Sequence, residues 1–322
     1  MQNKIKVATV QFNHTPSNKM ANFSIMEKFI NQAHKERVKI IVFPEMCITG
    51  YGHIGKLSQQ ELFSLSEEVS TGESTKRLKL LSRETHMIIG AGLLEKTNDG
   101  RLYNSYVVCQ PGGTVNVHRK IHAFESKHIT CGDSYTVFDT DLGIRLGILI
   151  CYDNNIIENG RITALHGADI LLAPSQVGGS LSKSPHALGL IDPKLWHNRK
   201  QDPEALRKEL NGPKGKGWLM RWLPSRAHDN GYFLIFSNGV GLDGEEVRTG
   251  NAMIFDPYGR IVKETLKVDD DIVVADLDLS LLDMCTGRRW IRGRKPELYQ
   301  DLITPTGKEM DSRTAHFSSK KM

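Results

Sequence analysis

The sequence predicts an α/β protein built from layered sheets, and three observations carry that prediction. Short runs rich in β-branched residues alternate with amphipathic helical stretches. The order strand–helix–strand recurs along the chain, and adjacent hairpins break it up, which argues against a purely parallel sheet. "IKVATVQF" alternates as a strand should. In "SNKMANFSIMEKFINQAHKERV", Phe23, Met26, Ile30 and Ala33 fall on one helical face. "KIIVFPEM" is a short apolar run stopped by Pro44, the pattern of a buried strand. A helix over "STKRLKLLSRETH" leads into the strand "MIIGAGLLE", and "RLYNSYVVCQPGGTVNVHRKIH" reads as a hairpin turning at Gly112–Gly113. The strand "GIRLGILICY" is followed by the helix "ENGRITALHGAD" and the strand "ILLAPSQ". "WLPSRAHDNG" and "YFLIFSNGVG" repeat the helix–strand step, and "GNAMIFDPYGRIVKETL" and "DIVVADLDL" close the series.

Residues 1–300 are expected to form one domain, interrupted by a long excursion at about 178–217 rich in Ser, Pro, Lys and Gly. Within it "DPEALRKEL" has Asp202 as a cap and Pro203 in the first turn of a helix. Residues 301–322 form an extension whose basic, polar end "TAHFSSKKM" reads as a frayed tail.

Composition excludes several classes. The 42 basic residues against 37 acidic ones are intermixed, a balance too even to argue for nucleic acid as a partner. No run approaches ~18 continuous apolar residues, and the start "MQNKIKVATVQF" lacks a signal-peptide pattern, so neither a membrane span nor secretion is predicted. Five scattered cysteines do not make a disulfide framework, which predicts a reducing, cytoplasmic setting.

Three reactive side chains stand at strand ends, where α/β sheets build their sites: Glu45, Lys120 and Cys151. A free thiol has a pKa of about 8.5, so it needs help to act as a nucleophile at neutral pH. A carboxylate supplies a general base, and an ammonium favours both the thiolate and the oxyanion formed when sulfur attacks a carbonyl or nitrile carbon. The backbone N–H of Tyr152 is a second oxyanion donor by position. Together these groups suffice for acyl transfer through a thioester. Cys47, Cys109, Cys131 and Cys285 read as packing residues. His118 and His122 have a spacing that metals use, but no supporting carboxylate motif, so no metal site is predicted.

"VFPEMCITGY", "HRKIHAFE" and "ICYDNNIIENGRITALHGADILLAPS" resemble, in order and spacing, the three signature segments of the nitrilase superfamily of carbon–nitrogen hydrolases. "PSRAHDNGYFLIFSNGVG" and "GNAMIFDPYGRIV" resemble that family's later helix, strand and hairpin, so the likeness covers nearly the whole chain. It implies a four-layer α-β-β-α sandwich with Glu45 as general base, Lys120 as oxyanion stabiliser and Cys151 as nucleophile. It also implies a second glutamate, Glu125 in "ESKHITCG", which orients Lys120 and the substrate amide. The basic run "RRWIRGRKPELY" corresponds to C-terminal segments that pack across a subunit interface, which implies a homodimer or larger homo-oligomer. No metal or organic cofactor is called for.

The departures shape the substrate reading. Ile156-Ile157-Glu158 stands where the family often has Phe-Pro-Glu, and Asp229 where its helix motif usually has Glu. True nitrilases follow the cysteine with Trp-Glu, whereas Cys151-Tyr152-Asp153 resembles the amidase and carbamoyl-amide hydrolase branches. The expected substrate is therefore a small linear amide or N-carbamoyl compound, cleaved with release of ammonia. A nitrile substrate, acyl transfer to an amine, and a non-catalytic binding module are the alternatives, in falling order. His186, Trp196, His197 and Trp218 are expected to contribute to the pocket wall.

Overall fold

The computed structural model describes residues 4–178 and 189–317. In chain order the first half runs β1 (Lys4–Phe12), α1 (Lys19–Lys35), β2 (Ile40–Val42), α2 (Gln59–Leu65), α3 (Glu73–Thr85), β3 (Ile88–Lys96), β4 (Leu102–Cys109) and β5 (Val115–Arg119). Then follow β6 (Thr136–Asp139), β7 (Arg145–Ile148), α4 (Ile157–Leu165), β8 (Ile170–Ser175), α5 (Pro193–His197), α6 (Pro203–Leu210), α7 (Lys216–Leu219) and α8 (Leu223–Asn230). The last elements are β9 (Phe233–Asp243), β10 (Glu246–Thr249), β11 (Met253–Phe255), β12 (Ile261–Glu264), β13 (Asp271–Asp278), α9 (Thr286–Arg292) and α10 (Ser312–Phe317).

The main sheet path is β5-β4-β3-β2-β1-β9-β8-β7-β6. Its two halves meet through only two residue pairs, Gln11–Asn238 and Phe12–Gly239, while β13 runs antiparallel along β1 from Lys4 to Gln11. At the far edges the path nearly closes on itself, because the Thr136 hydroxyl on β6 donates to the Val117 carbonyl on β5 (3.1 Å). Strand alternation then sorts the core into layers. Val7, Ile40, Val42, Tyr106 and Val108 face Leu146, Ile148, Ile170, Leu172, Phe233 and Ile235 between the two halves. Their sequence neighbours Ala8, Val10, Ile41, Phe43 and Val107 point the other way, onto Phe23, Met26 and Ile30 of α1 and Leu78 of α3. Leu171, Leu234 and Phe236 likewise face Leu223 and Ala227 of α8. The result is the expected α-β-β-α order.

The excursion is more ordered than a loop. The Asp202 carboxylate accepts from the Ala205 N–H (3.0 Å) and Pro203 opens α6, as the sequence signals predict. Ile191, Trp196, Leu206 and Leu210 form an apolar cluster with Val247 and Val268. The end of the chain differs from its reading as a frayed tail. Residues 312–317 form α10, and the Arg313 guanidinium donates to the Phe124 carbonyl (2.8 Å). Cys131 departs from the packing role expected of it, since its thiol is on an exposed residue.

Gly92 on β3 lets the chain after β2 lie against the sheet. A Cβ there would sit 2.1 Å from the Met46 backbone nitrogen. Gly92→Ala must push the Glu45–Met46 turn outward, an overpacking of about 1–3 kcal/mol. Displacement of a catalytic group by ~1 Å can cost about 10²-fold in rate. The variant should melt at lower temperature and lose turnover out of proportion to its lost stability, as read from a thermal melt and a steady-state assay on the folded fraction.

Candidate active site

Glu45, Lys120, Glu125 and Cys151 come from three loops, after β2, β5 and β7, and the fold brings them together. Glu45 follows β2, in a turn where Met46 takes a left-handed φ of 45°. The Gln176 side-chain amide, just past β8, donates to the Glu45 carbonyl (2.8 Å) and fixes that turn. Lys120 follows β5, where its own N–H donates to the Asn104 carbonyl (2.8 Å) and its carbonyl accepts from Gly132 (2.7 Å). The side chains of Glu45 and Lys120 are fully buried.

The Lys120 ammonium sits between two carboxylates. It donates to Glu45 Oε1 (2.8 Å) and forms a very short hydrogen bond to Glu125 Oε1. Asn104 Nδ2 donates to the same two oxygens, at 2.7 Å and 2.9 Å, and so ties the carboxylates to one strand. Burial opposes the lysine charge, but Glu125 and Glu45 outweigh it and hold the ammonium well above the ordinary lysine value. Burial pushes Glu45 up to about 7, against the pull of Lys120. Its second oxygen, Oε2, is buried with no hydrogen-bond partner among the described residues and is the atom placed to take a proton. The faces of Phe124 (4.7 Å) and Tyr51 (5.9 Å) flank the ammonium.

Cys151 opens a short 3₁₀ turn, Cys151–Asn155, just beyond β7. Its φ of 47° is left-handed, a conformation that costs a side-chain-bearing residue about 1–2 kcal/mol. Burial, and then the Glu45 charge, push its thiol up to about 12, against Lys120 and the backbone amide of Gln176. The resting group is thus a neutral thiol within electrostatic reach of a carboxylate and an ammonium. Asp153 locks this turn to the lysine loop. Its fully buried carboxylate accepts from the N–H groups of Ile150 (3.2 Å), Ile121 (3.2 Å) and His122 (2.8 Å). His118 lies against it (Nε2 to Oδ2, 3.6 Å) and pairs through Nδ1 with Thr136 (3.1 Å). His122 turns instead toward Ser312 and the Tyr152 ring, so the two histidines do not converge.

The carbon-nitrogen hydrolase family model matches residues 6–285. The chain belongs to that family. Among its relatives, a protein described as a nitrilase from Pyrococcus abyssi is 29% identical over 86% of this chain and 91% of its own length. An N-carbamoylputrescine amidase from Oryza sativa subsp. japonica is 26% identical, covering 95% of this chain and 97% of that one. In fold, the hydrolase is similar to a mutant of the amidase from Nesterenkonia sp. AN1 in complex with butyramide, with a TM-score of 0.67, 18% identity and coverage of 92% and 96% of the two chains. This carbon–nitrogen hydrolase therefore shares its four-layer fold with that structure.

Of the residues expected to form the pocket wall, Trp196, His197 and Trp218 lie among the described residues. His186 falls outside the described residues. Trp196 is buried in the excursion's apolar cluster with Arg199 against its face (3.9 Å), and His197 is exposed at the end of α5. Trp218 packs on the layer of Trp222 and Leu223. Asn104 and Asp153 carry more of the site than the sequence suggested. For Asn104 a signal was present: the polar pair Asn104-Ser105 interrupts the otherwise apolar strand "LYNSYVVC".

The left-handed turn at Cys151 gives a stability test. Glycine normally costs about 0.5–1 kcal/mol relative to alanine, through backbone entropy. At a φ of 47° the strain carried by alanine cancels that difference. Cys151→Gly should therefore melt no lower than Cys151→Ala by calorimetry. A glycine variant weaker by ~1 kcal/mol would mean that the turn is unstrained.

Proposed function

We propose that the enzyme hydrolyses a small linear amide or N-carbamoyl compound through a Cys151 thioester and releases ammonia. The observation that carries this reading is the buried Glu45–Lys120–Glu125 cluster, held by Asn104, beside a thiol on a strained turn. A thiol held at about 12 and a carboxylate at about 7 disfavour proton transfer ahead of attack, so it accompanies formation of the S–C bond. Glu45 Oε2 takes the Cys151 proton, while Lys120 and the Tyr152 N–H hold the oxyanion. The tetrahedral adduct collapses as the C–N bond breaks, and Glu45 returns the proton to nitrogen, which leaves as ammonia. Water, deprotonated by Glu45, then attacks the thioester, frees the acid and restores the thiol. Glu125 holds the ammonium in place through both stages.

The test is ammonia release from a panel of linear amides, ureido acids and nitriles, with intact-mass detection of an acyl adduct. Cys151→Ala should abolish both signals. Because Glu45 must be ionised to act, kcat/KM should rise as pH increases through about 7. Turnover of nitriles alone would move the enzyme to the nitrilase branch. Ammonia release that survives in Cys151→Ala would refute the thioester route.

We also propose a homodimer formed through the α4–α8–α9 layer. Ile157 (66% exposed) and Leu165 (41%) on α4 and Trp290 (52%) on α9 are large apolar side chains left to solvent there. Light scattering should give twice the chain mass, and Trp290→Glu should shift it toward the monomer at micromolar concentration.

A further inference from the structure

The site opens on one side. Glu45, Lys120, Asn104 and Asp153 are buried, whereas Cys151, Tyr152, Phe124 and His122 are half-buried. Tyr152, Phe124 and His122 are the partly exposed residues around Cys151, and α10 lies against all three. His316 stacks on the Phe124 ring (4.0 Å between centroids, 16° between planes) and meets Tyr152 edge-on at 5.7 Å. Ser312 pairs with His122 Nδ1 (3.2 Å), and Arg313 donates to the Phe124 carbonyl (2.8 Å). Phe317 adds a further edge contact to Phe124 (6.0 Å). The His316 imidazole thus spans two walls, one from the loop that carries Lys120 and one from the turn that carries Cys151. Burial, with the Lys120 charge behind it, holds this imidazole below the ordinary histidine value, as expected of a ring facing the site.

We propose that the Ser312–Phe317 helix is the outer wall of the substrate pocket, and that His316, stacked on Phe124, limits how long an acyl chain the site admits. The preferred substrates are then amides with short acyl chains. This rests on the amide-hydrolase reading above and adds the residue that sets its substrate size. Phe124 and Tyr152 meet edge to face, and His316 covers the Phe124 ring beside them, so an acyl chain extending from the carbonyl at Cys151 toward these rings meets the stacked pair. A longer chain has to displace the stacked pair.

The experiment compares the full chain with His316→Ala, His316→Phe and a chain ending at Asp311. The first readout is the ratio of kcat/KM for hexanamide to that for propionamide. The ratio should rise about tenfold or more in His316→Ala and in the shortened chain, the scale at which a pocket discriminates methylenes. It should stay near the wild-type value in His316→Phe, which keeps a stacked ring. The second readout needs no turnover: the rate of Cys151 alkylation by N-benzyliodoacetamide relative to iodoacetamide, followed by intact mass. That ratio should shift the same way by about tenfold. If the alkylation ratio shifts but the full chain releases no ammonia from any amide, the wall stands and the amide reading fails. If amides are turned over and neither ratio moves, the wall is refuted. An equal rise for small and large reagents also overturns it, since α10 would then obstruct entry without selecting by size. Circular dichroism confirms that each variant is folded, and His316→Ala decides the matter if the shortened chain is not.

Discussion

The site depends on one buried ammonium shared by two carboxylates. Lys120, Glu45 and Glu125 are all removed from water, and each would be costly to bury alone. Their mutual attraction and the two Asn104 hydrogen bonds offset that desolvation only because the geometry is close on every side. The same arrangement sets the chemistry. Burial, aided by the Glu125 charge and opposed by the larger pull of Lys120, raises the Glu45 carboxyl toward neutrality, as the proposed base requires. Its folded-state value is raised from 4.5 to about 7, so its contribution to stability is fully present below 4.5 and is lost as pH rises through about 7. Function and stability therefore pull in opposite directions at this residue.

Holding these groups requires backbone that is itself unusual. Met46 and Cys151 both adopt left-handed φ values, 45° and 47°, one directly after Glu45 and the other at the proposed nucleophile. The two turns are over-determined by their surroundings: Gly92 and Gln176 fix the first, and Asp153 fixes the second. Asp153 also binds the amides of Ile121 and His122, which ties the Cys151 turn to the Lys120 loop. Preorganisation of this kind is what the proposed oxyanion donors require before substrate arrives.

Much of the site was legible in the sequence through the three signature segments, since reactive residue types at strand ends recur too often in a chain of this length to mark a site alone. Glu45, Lys120 and Cys151 stood out in this way, and the family resemblance added Glu125. The placement of Trp196 and Trp218 was not legible: a tryptophan in a long excursion reads the same whether it faces a ligand or its own small core, and here Trp196 joins Leu206 and Leu210. The polar, basic composition of the chain end likewise gave no sign that His316 would stack on Phe124.

The sequence by itself determined the layers. Alternation along β1, β8 and β9 assigns each residue to one face or the other, and the helical stripe of Phe23, Met26, Ile30 and Ala33 says which elements cover them. Those are local periodicities, and local chemistry is enough to fix them. Only the tertiary structure decided how three loops, spread over about a hundred residues, bring two carboxylates, an ammonium and a thiol together, and how α10 packs beside them. Such contacts depend on where chain segments end in space, and no short-range pattern of residues records that.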